Sequence, residues 1–281
     1  MSKLNAQVAL RNVRRVDADG AREDTDAVAV EEPLEIRVGG EPLAITMRTP
    51  GDDANLALGF LFAEGVVRSV DDVGAIAPCG RPGDEGFGNA IDVTPGPGVS
   101  LDVDRVSATR RGTLTTSACG ICGRRSIDDV LARVRKVPDG PALPATLVGA
   151  SMERLRSLQP AFERTGGLHA AAAFDASGAL IASAEDVGRH NAVDKVVGRL
   201  VREGRTGERA PALLCVSGRA SFEIVQKAAA AGLRVVASVS AASSLAIDLS
   251  RAANVTLAAF ARGGSLAVFS APERLTLEDA D

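Results

Sequence analysis

Residues 212–239, ALLCVSGRASFEIVQKAAAAGLRVVASV, decide the architecture. Two apolar runs, ALLCVS and LRVVASV, flank a stretch of helical pattern near 220–231. Neither run alternates with polar residues, as expected of strands buried on both faces of a mostly parallel sheet. Working outward, a helix is predicted near 242–253, then strands VTLAAFA and SLAVFS joined by Arg262-Gly263-Gly264. Upstream lie a helix near 188–203, a hairpin of HAAAAF and LIASA turning at DASGA, and a helix near 150–160. This alternation predicts an α/β domain over 146–281, with helices covering both faces of the sheet.

The first half has a different pattern. PLEIRV places Leu34, Ile36 and Val38 on one face, Gly39-Gly40 turns the chain, and LAITM alternates again, which predicts a β-hairpin. A helix follows over 53–64, with Asp52 as N-cap and Gly65 as stop; its apolar residues cover most faces, so it should be buried. Short strand-like pieces and Pro/Gly turns fill 74–112. Ser126 and Asp129 form a loose capping box before Ile127, Val130, Leu131 and Val134, one face of a further helix. VPDGPALPA (137–145) reads as a boundary, so the smaller N-terminal α+β domain spans 27–137. Residues 1–26 are polar and weakly patterned, as in a flexible arm.

Composition narrows the function. The chain has 281 residues, no Trp, no Tyr and a net charge of −4. It is therefore poorly supplied with aromatic platforms for single-stranded nucleic acid, and its charge argues against general DNA or RNA binding through phosphate contacts. No segment has the apolar length to cross a bilayer, and MSKLNAQVALRNVRR lacks a secretory core, so the chain reads as cytosolic with no membrane partner. Four cysteines, Cys79, Cys119, Cys122 and Cys215, do not make a disulfide scaffold in such a chain.

In an open α/β sheet, ligands bind beyond the carboxyl ends of the strands. Polar clusters stand there: Glu185-Asp186 through Arg189-His190-Asn191, Ser217-Gly218-Arg219 with Ser221, Ser240 with Ser243-Ser244, and the Arg262-Gly263-Gly264 loop. Helix N-termini at such places suit phosphate. The plainer alternative is that Ser217, Ser221 and Ser243 cap helices while Arg189 and Arg219 pair with local acids. His169, inside a strand, reads as a satisfied structural histidine; His190, at a helix start, stands open to either role.

The pair Cys119-Gly-Ile-Cys122, in the glycine-rich loop TTSACGICGRR (115–125), has three readings. A structural zinc site needs four ligands, and one C-x-x-C with distant histidines does not supply them. The zinc-deaminase signature is absent, because neither His169 nor His190 begins H-x-E and Pro78-Cys79 has no second cysteine at the right spacing. A thioredoxin-like dithiol belongs near the first βαβ of its domain, and this pair is far along the chain, so that fold does not fit while a redox role stays open. The third reading is a persulfide carrier: Gly120 and Gly123 free the loop, Arg124 and Arg125 favour the thiolate, and the second cysteine can release sulfur by closing a disulfide. Cys215, inside an apolar run, reads as buried and inert.

Taken together, ACGICGRRSID, MRTPGDDANLALGFLFAEGVV, TGGLHAA, EDVGRHNAVDKV and SGRASFEIVQKAAAAG resemble the formate dehydrogenase accessory sulfurtransferases, from about residue 28 to 270. The resemblance implies a cytidine-deaminase-like three-layer domain without the deaminase zinc signature, in which no residue is a metal ligand. It implies transfer of sulfur from a cysteine desulfurase, as a persulfide on Cys119 assisted by Cys122, to the bis-molybdopterin guanine dinucleotide cofactor, carrying molybdenum or tungsten, of formate dehydrogenase. The matching cofactor-binding stretch is Phe260-Ala261-Arg262-Gly263-Gly264-Ser265, less charged at Gly264-Ser265 than the family leads one to expect. Ser217 and Arg219 would join it in holding guanine nucleotide phosphates, and Asp186 would face a guanine edge or pair with Arg189. Members are often homodimers. The rival within this reading is a chaperone that binds the cofactor and docks on formate dehydrogenase without carrying sulfur.

Overall fold

The structure is a computed structural model that describes residues 6–81, 83, 87–103 and 136–277. The elements in chain order are β1 (Val8–Asp17), β2 (Gly20–Ala29), β3 (Glu32–Val38), β4 (Glu41–Arg48), α1 (Asp53–Ala63), β5 (Val73–Pro78) and β6 (Ala90–Pro95). Then come β7 (Leu143–Pro144), α2 (Ala145–Ser157), α3 (Pro160–Thr165), β8 (His169–Phe174), β9 (Leu180–Asp186), α4 (Arg189–Arg202), β10 (Leu213–Val216) and α5 (Phe222–Ala231). The chain closes with β11 (Val235–Ser238), α6 (Ser244–Ala252), β12 (Thr256–Arg262), β13 (Ser265–Ser270) and β14 (Leu275–Thr276).

The main sheet has the order β13-β12-β11-β10-β8-β9. The predicted β–α–β pattern holds at its centre, where β10, β11 and β12 are parallel. Both crossovers step the same way across the sheet, so α5 and α6 pack on one face. The flanks differ from the mostly parallel expectation: β8–β10, β8–β9 and β12–β13 are antiparallel, which makes the sheet mixed. The physical reason is the connections, since tight turns between β8 and β9 and between β12 and β13 can join only antiparallel neighbours.

Side chains alternate across this sheet with period two. Ala171, Ala173, Leu214, Val216, Val236 and Leu257 join the core beneath α1, α4, α5 and α6. Ala170, Ala172, Phe174, Leu213, Cys215, Val235 and Ala258 point the other way, onto Val148, Met152 and Leu155 of α2. Three layers follow, helix over sheet over helix.

A second sheet, β4-β3-β6-β5, carries the hairpin predicted around Gly39-Gly40. Between it and α4 lies α1, whose Leu56, Ala57, Leu58 and Leu61 are buried as its all-round apolar pattern predicts. Asp52 occupies the N-cap position, but in the left-handed region and with no side-chain cap. The core runs without interruption from Leu34, Ile36 and Val93 through α1 to Val196 and Leu257. The closest approach is glycine on glycine: a Cβ on Gly59 would stand 1.9 Å from the Asp194 carbonyl oxygen, and one on Gly198 1.9 Å from that of Asn55.

The N-terminal segment read as a flexible arm is instead a hairpin over residues 8–29, with ten-residue strands paired from Val8–Ala29 to Asp17–Gly20. Its alternation was masked by charge on one face, where Arg15 bridges Asp24 and Asp26 and Arg22 bridges Asp17. The helix predicted after the cysteine pair, and Cys119 and Cys122 themselves, lie outside the described residues.

Candidate functional site

Strand direction gathers the polar clusters on one edge. The starts of β8 and β13 and the ends of β9, β10, β11 and β12 all stand there, because antiparallel neighbours present opposite ends. His169 is thus level with Asp186, Val216 with Ser238, and Arg262 with Ser265. The loops after β10 and β11 are laced together: the Ser238 hydroxyl donates to the Gly218 carbonyl at 2.7 Å, and the Ser243 and Ala220 amides donate to Ala220 and Ala241 carbonyls. Phe260 joins them through its amide to the Ser240 carbonyl, at 3.1 Å.

The serines divide by role. Ser243 caps α6 through the Ala246 amide, at 3.3 Å. Ser217 is no helix cap; its hydroxyl accepts the Ala170 amide at 2.8 Å and pins the start of β8. Ser221 sits at the N-cap of α5 without capping it.

Asp186 does not meet either expectation, a guanine edge or Arg189. It is fully buried and ion-paired to Lys195 at 2.6 Å. It also accepts the amides of Thr49 and Gly188 and the side-chain amide of Asn191. Lys195 spends its remaining donors on the carbonyls of Thr49 (2.8 Å) and Glu185 (3.2 Å). A buried charge is stable only when paired and saturated with hydrogen bonds; this pair therefore locks the loop 186–190 and ties residues 46–49 to it. Sequence reasoning missed Lys195 because its charge sits among the apolar positions of α4, next to Asp194, while its actual partner lies nine positions earlier. Glu185 accepts the amides of Ala161 and Phe162 at the start of α3, and burial raises its carboxyl above the usual range.

What faces the edge is positive. Arg219 is exposed, and Arg189 makes no ion pair with a described acid; its Nε is buried with no acceptor. His169 is half-buried, and burial, followed by the charge of Arg189, holds its imidazole below the usual histidine range. Among the described residues its ring has no hydrogen-bond partner, so it is not the satisfied histidine expected. At the far end of the edge the stretch 260–265 combines three features. Phe260 is 45% exposed at φ 55°, a left-handed backbone that a bulky residue adopts only under constraint. Ala261 is buried and anchors the strand, and Arg262 is exposed. Gly263 and Gly264 take φ 57° and 76°, as a two-residue hairpin turn of the primed type requires, delivering Ser265 opposite Arg262.

Cys215 is buried, and burial raises its thiol well above the ordinary range, consistent with an inert core cysteine. Among the described residues no group of three or more His, Cys, Asp or Glu is placed to hold a metal, and no helix is long and apolar enough to cross a membrane.

Comparison with known proteins gives a consistent picture. The sequence profile of the FdhD/NarQ family matches residues 29–276. A protein of Anaeromyxobacter dehalogenans named sulfur carrier protein FdhD is 62% identical over 257 residues, covering 90% of this chain and 89% of that one. A protein of the same name from Mycobacterium tuberculosis is 47% identical over 279 residues, covering 95% and 98%. A crystal structure assigned to a formate dehydrogenase accessory protein of Desulfotalea psychrophila superposes with a TM-score of 0.74 at 24% identity, over 96% of this chain and all of that one, a likeness of fold.

Proposed function

The chain belongs to the FdhD/NarQ family, and from that premise we propose that it is a cytoplasmic sulfurtransferase that carries sulfur for formate dehydrogenase. The observation that carries this reading is identity of 62% over nine-tenths of the chain to a protein named as a sulfur carrier. The donor is a cysteine desulfurase. The Cys119 thiolate attacks the terminal sulfur of the donor persulfide, the donor S–S bond breaks, and the desulfurase leaves as its thiolate. The Cys122 thiolate then attacks the inner sulfur of the Cys119 persulfide, closing a Cys119–Cys122 disulfide and expelling the outer sulfur as hydrosulfide; a thiol reductant restores the pair.

The acceptor is the molybdenum or tungsten of bis-molybdopterin guanine dinucleotide, a substrate here. The positive edge suits such an anion. Arg189 has a buried Nε with no acceptor, Arg219 and Arg262 are exposed, and Phe260 is held outward. Arg219, Ser217 and residues 260–265 would hold the guanine nucleotides, whose phosphates meet the helix N-termini. A homodimer would present two such edges. The test is formate dehydrogenase activity in cells lacking this protein, restored by wild type or Cys119→Ala. Sulfur carriage predicts loss with Cys119→Ala; full restoration would leave only a cofactor-binding chaperone.

A further inference from the structure

Beside the positive edge lie three side chains that sulfur carriage does not use. Ser221 occupies the N-cap of α5, where a serine hydroxyl ordinarily accepts an amide of the first turn. It does not do so here. Its Oγ instead lies 3.0 Å from Nε2 of His190, and His190 Nδ1 lies 2.8 Å from the Glu223 carboxylate. The histidine and glutamate are largely buried, with 12% and 15% of their side chains exposed, while Ser221 is partly open to solvent.

We propose that Ser221, His190 and Glu223 form a nucleophile–base–carboxylate relay, giving the protein an acyl-transfer activity toward activated carboxylic esters. The roles follow from the geometry. Glu223 accepts a hydrogen bond from Nδ1–H and so fixes the tautomer; Nε2 then carries the lone pair that takes the Ser221 proton. Both separations fall within the reach of a working general base. The first turn of α5 supplies N–H groups beside the nucleophile, beginning with Phe222, the residue after it, at the place where an oxyanion hole stands in other strand–turn–helix nucleophiles. Ser221 itself keeps an ordinary extended backbone, φ −97°. Exposed Arg219, two residues before it, favours esters that carry a negative group.

The step balances without an oxidant. Ser221 Oγ bonds to the carbonyl carbon as its proton passes to His190 Nε2. The intermediate collapses, the ester C–O bond breaks, and the departing alkoxide takes that proton. Water repeats the sequence on the acyl-serine, so ester and water give acid and alcohol.

The test is a fluorophosphonate probe on the full chain, read by peptide mapping, with 4-nitrophenyl acetate hydrolysis in parallel. The relay predicts a single adduct on Ser221, absent in Ser221→Ala. It predicts labelling about a hundredfold slower or more in His190→Gly, the range of general-base catalysis, with partial rescue by added imidazole. Thermal unfolding of each variant separates loss of relay from loss of fold, and the wild-type labelling needs no variant at all. No adduct on Ser221 in the folded wild type, or equal labelling in folded His190→Gly, would overturn the proposal and leave a tie between two helix starts. Sulfur loading is read separately, so neither result bears on the sulfur reading.

Discussion

Gly59→Ala is the sharpest perturbation the fold offers. In an exposed helix this change stabilises by about 1 kcal/mol through helix propensity. Here the added carbon would stand 1.9 Å from the Asp194 carbonyl oxygen, 2.7 Å from its carbon and 2.8 Å from the Gly198 nitrogen. All three are backbone atoms, so no side chain can rotate away. Even a contact of 3.0 Å, the shortest that real Cβ atoms reach, needs α1 and α4 to part by more than an ångström. A gap of that size forfeits about a quarter to a half of the dispersion between the facing surfaces. Leu56, Leu58 and Leu61 lie on one side of the junction, with Val193, Val196, Val197 and Leu200 on the other. Overpacking ordinarily costs about 1–3 kcal/mol, and a backbone clash belongs at or above the top of that range. After the propensity gain we expect a net loss of about 2 kcal/mol or more. Urea unfolding would report it as a lower midpoint at unchanged slope. Gly198→Ala, 1.9 Å from the Asn55 carbonyl oxygen, should behave alike, and the double variant should lose less than the sum, because the helices part only once. A Gly59→Ala protein as stable as wild type would refute this account of the helix junction.

Three further outcomes follow from other sites. Asp194 is buried against Lys227 at 2.7 Å, and burial raises its carboxyl to about 6 while Asp194 and Glu64 keep Lys227 protonated. An acid whose folded value is raised binds a proton more readily folded than unfolded, so its contribution is present below the ordinary carboxyl range and is lost as pH rises toward 6; chemical denaturation from pH 4 to 7 should show that fall in wild type and not in Asp194→Asn. Arg48 is 2% exposed and bonds Glu32, both oxygens of Asp53, the Gly88 carbonyl and Asn89. A lysine cannot reproduce that planar fork, so Arg48→Lys should cost about 2–3 kcal/mol in a thermal or urea melt. Phe260→Gly removes a left-handed aromatic, which should raise stability by about 1 kcal/mol or more, while weakening guanosine diphosphate binding by calorimetry if residues 260–265 hold the nucleotide.

The central strands and their helices were legible because buried parallel strands write continuous apolar runs. The helix 53–64 was legible because it is apolar all round. The mixed pairing at the flanks was less so: β8 and β9 were readable as a hairpin, but an Ala-rich run does not reveal which neighbour it meets. The first hairpin was hidden because its charges pair across strands, as Arg15 does with Asp24 and Asp26, and such pairing leaves no apolar stripe. At the edge, the clusters around Arg189, Arg219 and Arg262 were visible as loops after strands. Asp186 was misread because its partner, Lys195, lies nine positions on, inside a helix. The Ser221–His190–Glu223 chain joins residues up to 33 apart in sequence, and only the parallel placement of α4 and α5 brings them together.

The most direct test of the central claim is intact mass under non-reducing conditions after incubation with a cysteine desulfurase and cysteine, beside Cys119→Ala and Cys122→Ala. Sulfur carriage predicts a gain of one sulfur atom that requires Cys119 and disappears with reductant. No gain in the wild type, with the desulfurase shown to be active, would contradict the relay and shift weight to the proposal of a cofactor-binding chaperone.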